Sequence, residues 1–233
     1  TKYTADPAPM VYNDTVFLYT SHDEDDAQGY GFKMLDWQLY TSTDMVNWTD
    51  HGPIASLKDF TWRKRDNGAW ALQVVERNGK FYMYCPLHGN GIGVLVSDSP
   101  YGPFKDPIGK PLVWQKEHWD DIDPTVYIDD DGQAYIYNGG GGTCKGGRLK
   151  DNMMELDGAM RTMEGLVDFH EATWIHKYNG KYYLSYSDNH EPGQEGVAGW
   201  NRMHYAISDH PLGPWKHIGI YMQPTRPETG VTN

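Results

Sequence analysis

The fold of this protein is decided by residues 169–187, which read FHEATWIHKYNGKYYLSYS. Two runs rich in aromatic and β-branched residues flank Asn179-Gly180, a dipeptide that supplies the positive φ angles of a two-residue hairpin turn. Glu171 stands at the start of the first predicted strand among bulky apolar neighbours, with no Lys or Arg beside it. Removal of a carboxyl group from water raises its pKa, so Glu171 is a candidate proton donor. A strand Glu in a salt bridge is the alternative interpretation of this one carboxylate.

Similar hairpins recur along the chain at intervals of about 50 to 65 residues. The same place in each is held by a tyrosine: Tyr19, Tyr84, Tyr137 and Tyr186. Each unit supplies about four short strands with alternating apolar residues and Gly-Pro or Asn-Gly turns, which is typical of propeller blades. The sequence therefore predicts an all-β fold, a β-propeller in a single domain over residues 1–233. The approximate blades are residues 1–55, 56–115, 116–165 and 166–225.

The composition excludes several classes of partner. Lys and Arg number 20 against 32 Asp and Glu, a formal charge of −12, whereas a nucleic-acid surface depends on clustered cations. No apolar run approaches the roughly 20 residues that span a bilayer. Cys85 and Cys144 are too few for a disulfide framework and lack the spacing of metal ligands. The acidic run at residues 23–26 is predicted to be a solvated loop between strands.

Three predicted blades place a carboxylate at the start of the innermost strand, or just ahead of it. They are Asp6 in Ala-Asp-Pro, Asp123 in Ile-Asp-Pro and Glu171 in His-Glu-Ala. Because the innermost strands of a propeller surround one axis, we expect these distant residues to meet there. We also expect an extended backbone at both Asp residues, since a following proline restricts the residue before it. Ordinary turn chemistry is the alternative for either Asp-Pro pair alone, and three carboxylates in register weaken it.

The segments around these carboxylates resemble the three signature segments of glycoside hydrolase family 43. The segments are Ala5-Asp6-Pro7, Ile122-Asp123-Pro124 with Asp129-Asp130-Asp131-Gly132, and His170-Glu171-Ala172. The resemblance covers essentially the whole chain, including the blade-end segments at residues 97–104 and 208–215. It implies a five-bladed β-propeller, of which this chain holds four blades and is incomplete at its C-terminal end.

The same resemblance implies roles for the candidate residues. Asp6 is expected to be the general base, Asp123 to orient the acid and modulate its pKa, and Glu171 to be the general acid of an inverting glycosidase. Inversion requires the base and the acid to be roughly 6.5–9.5 Å apart, so that a water molecule fits between them. Trp70 matches the family's pocket tryptophan, although Leu72 stands where the family often has proline. His22 is a second candidate for the substrate pocket.

Metal ions are not required for this chemistry. The resemblance allows a structural calcium at the propeller axis, and the family's fifth blade supplies the histidine associated with it. The cluster Asp129-Asp130-Asp131-Gly132 lacks EF-hand spacing and is predicted to be a turn. Four histidines without zinc spacing are interpreted as loop or core residues: His88, His118, His170 and His176.

The predicted function is the release of terminal α-L-arabinofuranose or β-D-xylose from arabinoxylan or its oligosaccharides. The motifs do not separate the two sugars, and of the two readings we expect an arabinofuranosidase. The alternatives are an endo-acting arabinanase and a non-catalytic carbohydrate-binding propeller, which the 14% aromatic content also suits. The expected partner is a pentose polymer or oligosaccharide of the plant cell wall. A secreted or periplasmic location is predicted, with the cytoplasm as the alternative, and the oligomeric state is left open.

Overall fold

The structure is a computed structural model that describes residues 2–27, 32–114, 121–189 and 201–223, with the backbone of 225–226 and 231–232. Regular structure in this part of the chain is strand, apart from one 3₁₀ turn at Leu57–Asp59. The predicted all-β class is therefore confirmed. No helix among the described residues has the length and apolar character needed to cross a membrane.

The contacts divide the chain into two compact units. The first contains Thr1–Pro124 and Asn152–Glu155, and the second contains Thr125–Asp151 and Leu156–Asn233. Each unit holds two antiparallel sheets whose strands follow one another in sequence order, as in a propeller blade. The four predicted blades are confirmed, and we number them in chain order. That residues 1–233 form a single domain stays a prediction.

The first unit contains blades 1 and 2. Blade 1 consists of β1 (Tyr3–Tyr12), β2 (Thr15–Asp23), β3 (Met34–Ser42) and β4 (Thr49–Ser56). Blade 2 consists of β5 (Gln73–Arg77), β6 (Lys80–Leu87) and β7 (Gly91–Ser97), and a bridge between Val96 and Lys105 takes the place of its fourth strand. The core of this first unit includes the fully buried Trp37 and Phe60, whose rings meet edge to face with their centroids 6.4 Å apart.

The second unit contains blades 3 and 4. Blade 3 consists of β8 (Thr125–Ile128), β9 (Ala134–Gly140), β10 (Thr143–Leu149) and β11 (Arg161–Thr162). Blade 4 consists of β12 (Glu171–Tyr178), β13 (Lys181–Ser187), β14 (Met203–Ser208) and β15 (Lys216–Met222). A short pair follows, β16 (Thr225–Arg226) and β17 (Val231–Thr232). Buried side chains of blades 3 and 4 form one apolar cluster, which includes Cys144, Ile175 and Leu184.

The hairpin turns have the backbone that their sequences predict. Asn78 and Gly79 have φ angles of 54° and 74°, and Asn179 and Gly180 have 47° and 73°. Both central residues are thus left-handed, which matches the right-handed twist of the flanking strands. The predicted turn at residues 129–132 is also confirmed, because the Gly132 amide donates to the Asp129 carbonyl over 2.8 Å.

The four repeated tyrosines occupy equivalent buried positions, each with no exposed surface. Every hydroxyl donates to a backbone carbonyl elsewhere in the same unit. The acceptors of Tyr19, Tyr84, Tyr137 and Tyr186 are Pro100, Met153, Pro211 and Val167. A buried phenol needs such an acceptor, because a hydroxyl without one loses its hydrogen bonds to water. The repeat seen in the sequence is therefore a repeat of both packing and hydrogen bonding.

The acidic run at residues 23–26 is only partly the solvated loop that the sequence predicts. Asp23 belongs to β2, and the side chain of Glu24 is only 29% exposed because it turns back toward His22. Asp26 does lie in solvent and pairs with Lys33.

Candidate active site

The strand pairing places Asp6, Asp123 and Glu171 in register within their blades. In each blade, the residue just before the repeated tyrosine pairs with a residue of the first strand. The carboxylate lies three positions before that first-strand residue. Those pairs are Pro9 with Leu18, Val126 with Ile136, and Trp174 with Ser185. The three carboxylates therefore occupy one structural position of a repeated unit, as the sequence predicts.

The backbone at this position differs from the prediction. Asp6 and Asp123 have φ angles of 54° and 50°, so both are left-handed rather than extended. In β1 the cause is a bulge: the register shifts between Ala5 and Ala8, so that two residues oppose one on β2. A bulge of this kind requires a left-handed first residue, and Asp tolerates that region better than most residues. A following proline favours an extended backbone in the residue before it, so the left-handed conformation at Asp6 and Asp123 departs from that preference.

In blade 4 the same bulge lies one residue further along the chain. Its register shifts between Glu171 and Trp174, and the left-handed residue is Ala172, with φ of 60°. Glu171 itself is an ordinary strand residue paired with Ser187. The side chain of Glu171 thus projects from a different backbone conformation than the side chains of Asp6 and Asp123.

Asp6 is a half-buried carboxylate held by β2. Burial raises the pKa of Asp6, the hydrogen bond that the Ser21 hydroxyl donates to Oδ2 lowers it, and the charge of Asp23 raises it again. The net direction is upward. A carboxylate whose pKa is raised is a stronger base once ionised, which suits the activation of a water molecule.

Asp123 is half-buried and lies between two buried neighbours, Ile122 and Pro124. It lies two residues before the start of β8, in the same compact unit as Asp6. Glu171 lies in the second unit. The convergence of the three carboxylates on one axis therefore stays a prediction.

Glu171 has a neighbour that the sequence interpretation omits. The His170 Nε2 atom lies 3.7 Å from Glu171 Oε2, and the two side chains are 22% and 31% exposed. The His170 amide donates to the Ser187 carbonyl over 2.8 Å, which holds the residue beside the start of β12. His170 lies in the loop before β12, as predicted, and its contact with Glu171 could have been expected from their direct adjacency in sequence.

Trp70 is half-buried and fixed from two sides. The indole N–H of the buried Trp37 donates to the Trp70 carbonyl over 2.7 Å, and the His88 ring meets the Trp70 ring edge to face at 4.3 Å. Gly68 allows this arrangement, since a Cβ at its φ of 99° would lie 2.2 Å from the His88 Cβ. Trp70 is thus a pre-positioned aromatic ring, and its place in a substrate pocket stays a prediction.

The side chain of His22 lies beside two carboxylates, and its place in the substrate pocket stays a prediction. Its Nδ1 atom lies 3.2 Å from Asp36 Oδ1 and 4.0 Å from Glu24 Oε1. These three residues are the one group of His, Cys, Asp or Glu in the described residues whose ligand atoms are close enough to share a metal ion. They do not fit calcium, which takes six to eight oxygen ligands, because the group offers one imidazole and two carboxylates.

Comparisons with known proteins extend over almost all of the chain. The family model described as glycosyl hydrolases family 43 matches residues 1–232. A xylosidase/arabinosidase of Bacteroides ovatus is 34% identical, over 95% of this chain and 79% of its own length. An arabinoxylan arabinofuranohydrolase of Paenibacillus polymyxa is 35% identical, over 95% of this chain and 40% of its own length. The structure of an α-L-arabinofuranosidase from Clostridium thermocellum matches with a TM-score of 0.80 and 39% identity, covering 94% of this chain and 72% of that one.

Proposed function

This chain belongs to glycosyl hydrolases family 43, and we propose that it is an inverting glycosidase that releases terminal α-L-arabinofuranose or β-D-xylose from arabinoxylan or its oligosaccharides. The names of its relatives support this substrate class, because they include a xylosidase/arabinosidase and an arabinoxylan arabinofuranohydrolase. A secreted or periplasmic location is part of the proposal, since a cell-wall polymer is met outside the cytoplasm.

Asp6 acts as the general base in this mechanism. Its ionised carboxylate takes a proton from a water molecule that attacks the anomeric carbon from the face opposite the leaving group. The half-buried environment of Asp6 supports this role, because burial raises its pKa while the Ser21 hydroxyl stabilises the charged form. The hydroxyl also orients the carboxylate, which leaves Oδ1 for the water.

Glu171 acts as the general acid and protonates the glycosidic oxygen as the bond to the anomeric carbon breaks. Asp123 modulates this acid, because a second anion near Glu171 disfavours its ionised form and keeps the proton available. The bulge after Glu171 supports a distinct direction for its side chain, as expected if acid and base approach opposite faces of the sugar.

The observation that carries the proposal is the common register of Asp6, Asp123 and Glu171 on three blades. A repeated fold that places acids at the same position on several blades has the means to bring them to one sugar ring. Trp70, held by Trp37 and His88, is the proposed platform against which the ring packs. His22 remains a candidate for the pocket edge.

The test compares two variants on substrates with different leaving groups. Glu171→Gln should lose about 10²–10⁴-fold in kcat on an arabinoxylan oligosaccharide and much less on a p-nitrophenyl glycoside, whose leaving group needs little protonation. Asp6→Asn should lose activity equally on both substrates, because water must be activated in either case. Proton NMR of the first product should show the inverted anomer.

Glu164→Gln is the matched control, since Glu164 is an exposed carboxylate of the same unit. A non-catalytic carbohydrate-binding propeller predicts instead that the native protein has no turnover and that Glu171→Gln keeps its affinity for the sugar. An endo-acting arabinanase predicts internal cleavage of linear arabinan and no release of single pentoses. Equal losses for Glu171→Gln on both substrates would remove Glu171 from the role of acid.

A further inference from the structure

The His22 group, which we define as His22, Glu24 and Asp36, lies where β2 ends and β3 begins. The ligand atoms of the three side chains all lie within 4.8 Å of one another. The His22 and Asp36 side chains are only 15% and 19% exposed, so they are shielded from solvent but not closed off. Two carboxylates surround a single imidazole, and the nearby Lys2 ammonium is paired with Asp50 and donates to Gln38, so a cation bound among the three groups would offset their negative charge.

A second observation points to a missing partner on the same face of blade 1. The Thr20 hydroxyl is buried and has no hydrogen-bond partner among the described residues, and Thr20 is 4% exposed. Thr20 pairs with Gln38 across β2 and β3, so the two side chains share one face of the sheet. Gln38 in turn donates to Asp36 Oδ1 over 2.6 Å. An unpaired buried hydroxyl is a common sign of an unseen water molecule or ion.

We propose that His22, Glu24 and Asp36 bind a divalent transition-metal ion of the zinc class. Imidazole nitrogen with carboxylate oxygen is a ligand set that zinc accepts, with bonds of about 2.0–2.2 Å and tetrahedral geometry. Such bonds place neighbouring ligand atoms about 3.3–3.6 Å apart. The observed 3.2 Å and 4.0 Å lie on either side of that separation, so small side-chain movements complete the site.

The remaining positions of the site have natural occupants. A water molecule on the ion fills the fourth ligand position and donates to the Thr20 hydroxyl. Gln38 orients Asp36 by its hydrogen bond, which is the part that groups beside the ligands play in metal sites. Ser21, between Thr20 and His22, donates to Asp6 from the other face of β2, so the ion lies across the strand from the proposed base.

The experiment is a calorimetric titration of chelator-treated protein with ZnCl₂, and with CaCl₂ as the comparison. We expect one zinc ion per chain and much weaker binding of calcium. Gln38→Leu should lower zinc affinity by about 10–100-fold, and His22→Ala should lower it further, because it removes a ligand. Co²⁺ in place of zinc should give the intense visible absorption of a four-coordinate site in the native protein and not in His22→Ala.

Two controls separate this site from other zinc-binding histidines. His204 Nδ1 and His217 Nε2 lie 3.0 Å apart and are a competing pair, so His217→Ala should leave the high-affinity zinc binding unchanged. Asp36→Asn repeats the test of His22→Ala with a milder change, and circular dichroism checks that both variants fold. Zinc affinity that survives both substitutions, or that disappears in His217→Ala, would overturn the assignment. Neither result bears on the glycosidase proposal, because the titration contains no substrate.

Discussion

Replacement of Ala172 by glycine should stabilise the protein, although glycine normally weakens a strand. Ala172 is exposed and has φ of 60°, in the left-handed region. That region costs a residue with a Cβ roughly 1–2 kcal/mol, which glycine avoids. Glycine also loses about 0.5–1 kcal/mol through the greater freedom of the unfolded chain. The difference between the mid-points of the two ranges is a net stabilisation of about 0.75 kcal/mol.

The assay is thermal unfolding followed by circular dichroism, and the matched control is Ala5→Gly. Ala5 precedes the equivalent bulge in β1 but is not among the left-handed residues, so glycine there brings only the penalty. For a chain of this length, 1 kcal/mol corresponds to about 2–4 °C in Tm. Ala172→Gly should therefore melt about 1–4 °C higher and Ala5→Gly about 1–4 °C lower. If both variants shift downward, the left-handed assignment at Ala172, and with it the displaced bulge of blade 4, is refuted.

Three further predictions follow from single contacts. Ser21→Ala removes the hydroxyl that stabilises the ionised Asp6, so the pKa of Asp6 should rise. The acidic limb of the pH profile of kcat/KM should then move to higher pH. An unmoved limb would show that Asp6 is not the base that titrates there. Tyr137→Phe removes the hydrogen bond from the hydroxyl to the Pro211 carbonyl and should lower the free energy of unfolding by about 0.5–1.5 kcal/mol, measured by urea titration. Although burial raises the pKa of Asp129, hydrogen bonds from Lys177 and others lower it to about 2 from the usual 3.8. The stabilisation by Asp129 is thus present above pH 3.8 and lost as the pH falls toward 2, so Lys177→Met should be less stable at pH 6 and should approach the native protein near pH 2.

Most of the fold could be predicted from the sequence, because its signals are local and repeated. Asn78-Gly79 and Asn179-Gly180 determine their turns through the backbone preferences of two residues. The repeated tyrosine marks the same buried strand position in every blade. Such a position can be recognised from the alternation of apolar and polar residues along the strand. Strand order follows from short connections, since consecutive strands pair in all four blades. The division into two compact units was not predicted, because it depends on contacts summed over the whole chain.

The candidate site was predicted in residue type but not in backbone conformation. The Asp-Pro motif identifies Asp6 and Asp123, yet the preference of a residue before proline for an extended backbone gives the wrong conformation at both. The bulge that selects the left-handed form arises from pairing with β2, which no single strand reveals. Contacts between residues distant in sequence, such as the hydrogen bond from the Trp37 indole to the Trp70 carbonyl, were missed for the same reason.

The displaced bulge restricts which acids evolution or a library can place at these positions. On blades 1 and 3 the acid itself is left-handed, a conformation that Asp and Asn adopt far more readily than Glu. On blade 4 Ala172 takes over that conformation, which leaves the neighbouring position open to a longer side chain. A saturation library at position 6 or 123 should therefore recover Asn and Gly among its well-folded members, whereas position 171 should tolerate a broader range. The choice of a short acid on two blades and a long one on the third is then a matter of main-chain handedness as well as reach.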